Sequence, residues 1–288
     1  NIVLNFILIY PTREIEIFSQ KITVFGMNMG VIGAATASAI SFVAGGILIT
    51  VALFKHPVIS PKNQKMLPDK EILLPCLKVA LPNMLQRVTT CLGYVFFAAM
   101  INSLGEISTA AHTVANTVES AFYIPGYGMQ TAAATLAGNA YGAGDEKRMK
   151  ELSSMFIPLE ILLMIFSGAC LFFTAPMLVD IFSDSSEVIT LGTTVLRMVA
   201  VSEPFYGFSI IIDGMMHGGG LTTKPFIYNI CGMWGIRIVG TFICTAVLNF
   251  GFVSCWVCMV ANNMAIFALY LCDYIRGKWY PKSLDTQG

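Results

Sequence analysis

Glu203 lies in the run VLRMVAVSEPFYGFSIIIDGMM, directly before Pro204, with Arg197 and Asp213 in the same apolar stretch. A proline inside a helix removes one backbone hydrogen bond and frees a carbonyl, so Pro204 is expected to bend or unwind the turn beside this acid. A carboxylate next to freed carbonyls suits a proton or a hydrated Na+, because hard cations take oxygen ligands and a carboxyl withdrawn from water is costly to ionise. Glu203, Tyr206 and Asp213 fall roughly on one side of such a helix. Glu203 is therefore the first ion-coupling candidate, and Na+, if it is the ion, is expected there.

A second set of polar groups lies in AAHTVANTVESAFYIPGYGMQTAAATLAGNAYGAGD, Ala110 to Asp145. Offsets of four and three put His112, Asn116 and Glu119 on one helix face. That face cannot look at lipid, since a carboxylate at membrane depth costs about 3 kcal/mol or more unless it meets a partner or a wet cavity. Pro125, between small residues that include Gly126 and Gly128, predicts a helix break. A further stripe, Asn83, Arg87, Thr90 and Tyr94, repeats at offsets of four, three and four, and Arg87 requires a partner. Glu119 and Asp213 follow Glu203 as coupling candidates. Plainer roles stand beside these. Glu119 or Glu203 would be inert if locked in an ion pair with Arg87 or Arg197, and Glu160, after Pro158, would be inert if it pairs with a neighbouring helix. His112 reads as a hydrogen-bonded core residue, Arg237 in MWGIRIVG as a packing anchor, and Asp180 and Asp273 as solvated groups near span ends.

These groups need walls, and the rest of the chain must supply them. Of its 288 residues 56% are hydrophobic and only 12% charged, half the charge of an ordinary soluble domain at about 25%. This is a membrane protein, expected to be all-α because helices satisfy every backbone group in hydrocarbon. A net charge of +0, without basic clusters interleaved with aromatics, gives no reason for a nucleic-acid partner. The opening NIVLNFILIY reads as the tail of a helix in the C-terminal portion of a longer protein. Pro11 to Met29 reads as a polar connection and Gly30 to Phe54 as a complete span. Residues 55–71, with prolines and lysines, form a linker. Six spans follow within 72–275, at about Ile72–Ile101, Thr109–Ala137, Leu152–Phe182, Val188–Met216, Pro225–Phe250 and Phe252–Ile275, and a polar tail occupies 276–288.

If the linker is cytoplasmic, Lys147, Arg148, Lys150, Lys224, Arg276, Lys278 and Lys282 share its side, while the opposite side carries only Arg13 and Lys21. That asymmetry predicts a cytoplasmic C-terminus. The eight Cys read as packing residues. Cys255 and Cys258 form a C-x-x-C, but no flanking His or second pair supports metal or redox chemistry. VLNF occurs at Val3–Phe6 and again at Val247–Phe250, which suggests two related halves, the usual build of secondary transporters.

The Ala110–Asp145 run resembles the signature of the multidrug and toxic compound extrusion (MATE) family, in which AAH leads through PG-x-G to a helix ending in G-x-x-x-GAGD. Agreement extends to ALPNMLQ (Ala80–Gln86), NSLG (Asn102–Gly105), GMMHGGGLTTKP (Gly214–Pro225) and WGIR (Trp234–Arg237), so the resemblance covers essentially the whole chain. It implies two six-helix lobes, of which residues 1–54 hold the end of helix five and helix six, and 72–275 the whole second lobe. The rest of the first lobe would be a partner within the same protein. The family's activity implied here is export of organic cations or amphipathic compounds in exchange for H+ or Na+, by alternating access in the plasma membrane, with no cofactor and no enzymatic step.

Several positions depart from the family pattern. The acid that some members carry near the end of helix five is Asn5 here. The helix-seven acid is absent, with Gln86 and Arg87 in its neighbourhood. Glu203 lies about one turn from the place of the helix-ten Asp. GAGDT reads GGGLT, with Leu221 in place of the acid. Asn83, Gln86, Arg87, Tyr94, His112, Asn116 and Tyr206 are the expected cavity or partner residues. The rival readings are a flippase for lipid-linked precursors, for which only Arg87, Arg197 and Arg237 are at hand, and an intramembrane thiol oxidoreductase using Cys255 and Cys258.

Overall fold

The computed structural model describes residues 1–17, 20–56, 60–61 and 69–280. Most of the expected linker, at 57–59 and 62–68, and the end of the expected tail, at 281–288, lie outside the described residues. The chain divides into two compact units, Asn1–Pro68 and Asp69–Gly288.

The first unit comprises α1 (Ile2–Leu8), strands β1 (Pro11–Ile17) and β2 (Gln20–Met27), and α2 (Gly30–Lys55). The connection expected to be merely polar is an antiparallel hairpin, with Ile15 opposite Ile22. Its charges mask the cause: EIEI and ITVF carry the period-two and β-branched signals of strands. The two VLNF copies also differ. Val3–Phe6 is helical within α1, whereas Val247–Phe250 turns a corner at Asn249, whose φ is 52°, so the match does not mark equivalent structure.

The second unit is a helix bundle of α3 (Lys70–Asn102), α4 (Glu106–Gly142), α5 (Glu146–Phe182), α6 (Ser186–Gly218), α7 (Thr223–Ile230), α8 (Val239–Phe242) and α9 (Phe252–Ile275). Segments Cys231–Ile238 and Ile243–Val247 are π-helical and join α7 and α8 into one span, Thr223–Val247. Asp145 caps α5 by accepting from the Arg148 N–H at 2.8 Å, and Gly144 reaches φ 70° in the turn before it. The GAGD end of the signature is thus a helix stop followed by a helix start.

Among the described residues six helices are long and apolar enough to cross a membrane, namely α2, α3, α5, α6, α7 to the second π segment, and α9. α4 has the length, at 37 residues, but its polar face lowers its hydropathy. α6 is the central post, with 67% of its apolar window buried, and it packs against α4, α5 and α9.

The break expected at Pro125 is absent and the turn at Pro204 is not unwound, since α4 and α6 each run through their proline as one helix. A proline forfeits one bond, and the flanking turns and neighbouring helices hold the rest in register. The irregularity lies instead in the two π-helical segments that flank α8, Cys231–Ile238 and Ile243–Val247. Wide turns of this kind occur often at functional sites.

Two apolar cores fill the bundle. One holds Phe97, Ile101, Leu171, Val195, Leu196 and Trp256, and the other Phe156, Ile211, Met215, Tyr270 and Trp279. α4 gives Ala111–Val118 to the first and Ala133–Ala140 to the second, and α6 gives Val188–Ala200 and Phe208–Met216. Glu119, Glu160 and Glu203 fall in the interval between the cores on α4, α5 and α6. They form a polar layer partway along the bundle.

Candidate functional site

A cavity of about 440 Å³ opens in the second unit, lined from α3 by Thr90 and Tyr94, from α4 by His112, Asn116, Glu119, Tyr123 and Tyr127, and from α6 by Tyr206. The π-distorted span adds Asn229, Met233 and Arg237, and α9 adds Met259, Asn262, Asn263 and Ile266. The expected one-face placement of His112, Asn116 and Glu119 holds. Tyrosine rings, amides and two Met offer apolar faces with polar edges, a lining suited to amphipathic molecules.

Glu119 is 4% exposed and accepts a hydrogen bond from the Tyr123 hydroxyl at 2.7 Å. The Tyr123 ring leans on Tyr206, 5.0 Å between centroids, and the Tyr127 and Tyr206 hydroxyls are 3.3 Å apart. Arg237 is buried, its guanidinium 4.0 Å from the Phe97 centroid and 5.1 Å from that of Tyr94, with Nε unpartnered. Glu119 and Arg237 attract one another yet close no salt bridge among the described residues. The cavity therefore carries one carboxylate and one guanidinium, held apart, with the His112 imidazole also in its wall. Arg237, expected only to anchor packing, is a wall residue. His112, expected to be hydrogen-bonded, has Nδ1 unpartnered, and its ring packs edge-on between Phe97 and Trp256.

Glu203 is not in the cavity wall. It is fully buried, with both carboxylate oxygens unpartnered. The Ser167 hydroxyl lies next to Glu203 and feels its charge, while its own hydrogen bond goes to the Phe122 carbonyl at 3.0 Å. A Cβ added to Gly168 would stand 2.6 Å from the Ala200 carbonyl oxygen and 3.2 Å from Glu203 Oε2. Ala200 is the residue whose i+4 donor would be Pro204, so its carbonyl is the one proline frees. Carboxylate and freed carbonyl thus face the same bare stretch of α5. Glu203 feels the charge of Glu119, and Tyr123 feels both.

No ion pair disposes of these acids. Arg197 is directed at the Phe172 carbonyl, 3.4 Å from Nε, and over that ring, while Arg87 is exposed and in no salt bridge among the described residues. Glu160 is likewise fully buried with both oxygens unpartnered, wedged where a Cβ on Gly126 would come 2.7 Å from its Oε1. The expected pairing with a neighbouring helix is not made.

Other expectations need correction. Tyr206 faces the cavity, Glu203 faces α5 and Asp213 faces α4 and α9, so the three do not form one cluster. Asp213 accepts from Gln130 Nε2 at 2.8 Å and Tyr270 OH at 2.6 Å, with His217 Nδ1 3.4 Å away. This knot ties α4, α6 and α9 together. Asp213→Ala should strand these donors and destabilise the protein by about 2 kcal/mol, seen as a lower thermal midpoint in detergent; Asp213→Asn, which keeps an acceptor, should cost less. Asp273, expected to be solvated, is 7% exposed and accepts from Lys224 Nζ at 2.7 Å and Tyr228 OH at 2.8 Å. Of the α3 stripe, Thr90 and Tyr94 reach the cavity, while Asn83 and Arg87 are exposed and Gln86 is half-buried. Pro125 and Gly128 are exposed outside the cavity, and only Gly126 is buried.

The family model described as MatE matches residues 82–243. The chain is 24% identical over 280 residues to "Probable multidrug resistance protein NorM" of Thermotoga maritima, covering 96% of this chain and 60% of that protein. It is 25% identical over 219 residues to "Multidrug and toxin extrusion protein 1" of Homo sapiens, covering 74% of this chain and 37% of that protein. A solved structure of a multidrug resistance MATE family transporter in an outward-facing conformation superposes with a TM-score of 0.77 at 23% identity, over 87% of this chain and 57% of that one. The chain spans 60% and 62% of the length of two of the curated relatives it matches.

Proposed function

The chain belongs to the MatE family, and from that premise we propose that it serves a cation-coupled antiporter, not an enzyme, that exports organic cations, drugs or amphipathic metabolites from the cell by alternating access. The observation that carries this reading is the unpartnered Glu203 carboxylate, set behind a tyrosine- and amide-lined cavity whose wall holds Glu119. Binding H+ or Na+ removes the cost of an unpaired buried charge in one conformation more than in the other, and that difference shifts the equilibrium between states. Glu203 is the primary coupling group, Glu119 its partner at the cavity, and Tyr123 the hydroxyl that holds Glu119. Asp213, already held by two donors, acts in helix positioning. Domain roles follow the same reading: 1–54 closes the first lobe, 55–71 links the lobes at the cytoplasmic face, 72–275 is the second lobe, and the tail 276–288 is cytoplasmic, in the plasma membrane.

The test uses vesicles containing the intact protein, loaded with a fluorescent organic cation and given a pH gradient or a Na+ gradient separately. Efflux is expected under one of the two, which identifies the ion. Absence of efflux under both would overturn the reading in favour of a lipid-precursor flippase, with Arg237 as the cavity cation that such an anionic cargo requires.

A further inference from the structure

Cys258 is three residues from Cys255 in sequence, but its sulfur faces another thiol. Cys244 Sγ lies 3.9 Å from Cys258 Sγ, across the contact between the π segment Ile243–Val247 and α9, while Cys255 is fully buried in the apolar core beside Trp256. Cys258 fits there because Gly240, one turn before Cys244, has no side chain: a Cβ on it would stand 3.1 Å from Cys258 Sγ. Cys244 and Cys258 are free and partly exposed, and both lie within roughly two turns of the corner between the two helices. Each helix also builds the cavity, the π-distorted one through Met233 and Arg237, α9 through Met259 and Asn262.

We propose that Cys244 and Cys258 form a redox-modification site, oxidised by small apolar disulfides to an intramolecular disulfide that pins the π-distorted span to α9 and fixes two walls of the cavity against each other. One Cys thiolate attacks the small disulfide, whose S–S bond breaks and releases one small thiol. The second Cys thiolate then attacks the mixed disulfide, forming the Cys244–Cys258 bond and releasing the second small thiol. The two protein thiols give up two protons and two electrons, and the reagent takes up both. Closing the pair to bonding distance asks for a movement of about 2 Å, taken up by the weakly bonded π turns.

Membranes holding the intact protein are treated with 4,4′-dithiodipyridine, quenched with N-ethylmaleimide, digested and analysed by mass spectrometry. The expected product is a Cys244–Cys258 linked peptide that dithiothreitol splits, unchanged in Cys255→Ala and lost in Cys244→Ala, where Cys258 keeps the thiopyridyl mixed disulfide instead. A Cys255–Cys258 link, or quantitative alkylation of Cys244 and Cys258 after the oxidant, overturns the site. Pinning is read separately, as slower amide hydrogen exchange across 231–247 after oxidation; unchanged exchange with the link present overturns it. A transport arm rests on the proposed export: oxidation should abolish efflux in the wild type but not in Cys244→Ala, and reduction should restore it. If reduced wild type exports nothing, the export reading fails while the link and the exchange data still decide the site.

Discussion

Glu203→Gln in the intact protein is expected to abolish gradient-driven efflux while the protein still folds and reaches the membrane. The amide keeps the volume of a side chain that has no exposed surface, so packing against Gly168 is preserved. It also brings two donors to a place where the acid had no hydrogen-bond partner and the Ala200 carbonyl stands close, so folding does not suffer from a new orphan acceptor. What the amide cannot do is gain or lose charge. A difference of about 1.4 kcal/mol between conformations is already tenfold in their populations, so efflux is expected to fall by about tenfold or more when that difference disappears. The comparison with Glu119→Gln separates the two acids. Wild-type efflux in Glu203→Gln together with loss in Glu119→Gln would move coupling to the cavity wall and make Glu203 a packing residue.

Gly218→Val is expected to leave little folded protein. A Cβ at Gly218 would overlap the Ala134 carbonyl oxygen and lie 2.9 Å from its carbon. These are backbone atoms of α4, with no flexible side chain to yield. The helices also touch in the reverse sense, since a Cβ on Gly138 would stand 3.1 Å from the Gly218 carbonyl oxygen. Forcing α4 and α6 apart at this point loosens the core of Ala133, Ala137, Met215 and Met216. A cost of about 3 kcal/mol is the usual upper range for overpacking, and the β-branched side chain adds to the overlap. Fluorescence-detected size-exclusion chromatography after a heat step would read it as loss of the monodisperse peak. Gly128→Ala, at an exposed position with open space around it, is the matched control and should retain the peak.

The bundle was legible because hydrophobic length and loop charge are properties of the sequence alone. The same patterns placed His112, Asn116 and Glu119 on one face, and that face does meet the cavity. The prolines misled, because a missing donor is local whereas the integrity of a helix depends on its neighbours: Pro125 and Pro204 sit in unbroken helices, and the distortion appears in Cys231–Val247, where only glycines hinted at it. The far wall was harder to read. Asn262 and Asn263 stand out in an apolar helix, but nothing in their spacing ties them to Arg237, which is brought to the same cavity by a different span. The Glu160 orphan and the Cys244–Cys258 contact depend on which helices touch, information that periodicity does not contain.

The layering of the bundle also bears on how it enters the membrane. α4 is not among the helices apolar enough to cross a membrane alone, and it carries Glu119; α5 follows with Glu160. The cover for both acids includes α6, which is made after them. During synthesis α4 is therefore expected to wait beside the insertion machinery, although α5 is apolar enough to enter lipid, until the arrival of α6 completes its cover. In a chain stalled on the ribosome after α5, a cysteine introduced into α4 should stay open to a water-soluble maleimide, whereas in one stalled after α6 it should be protected.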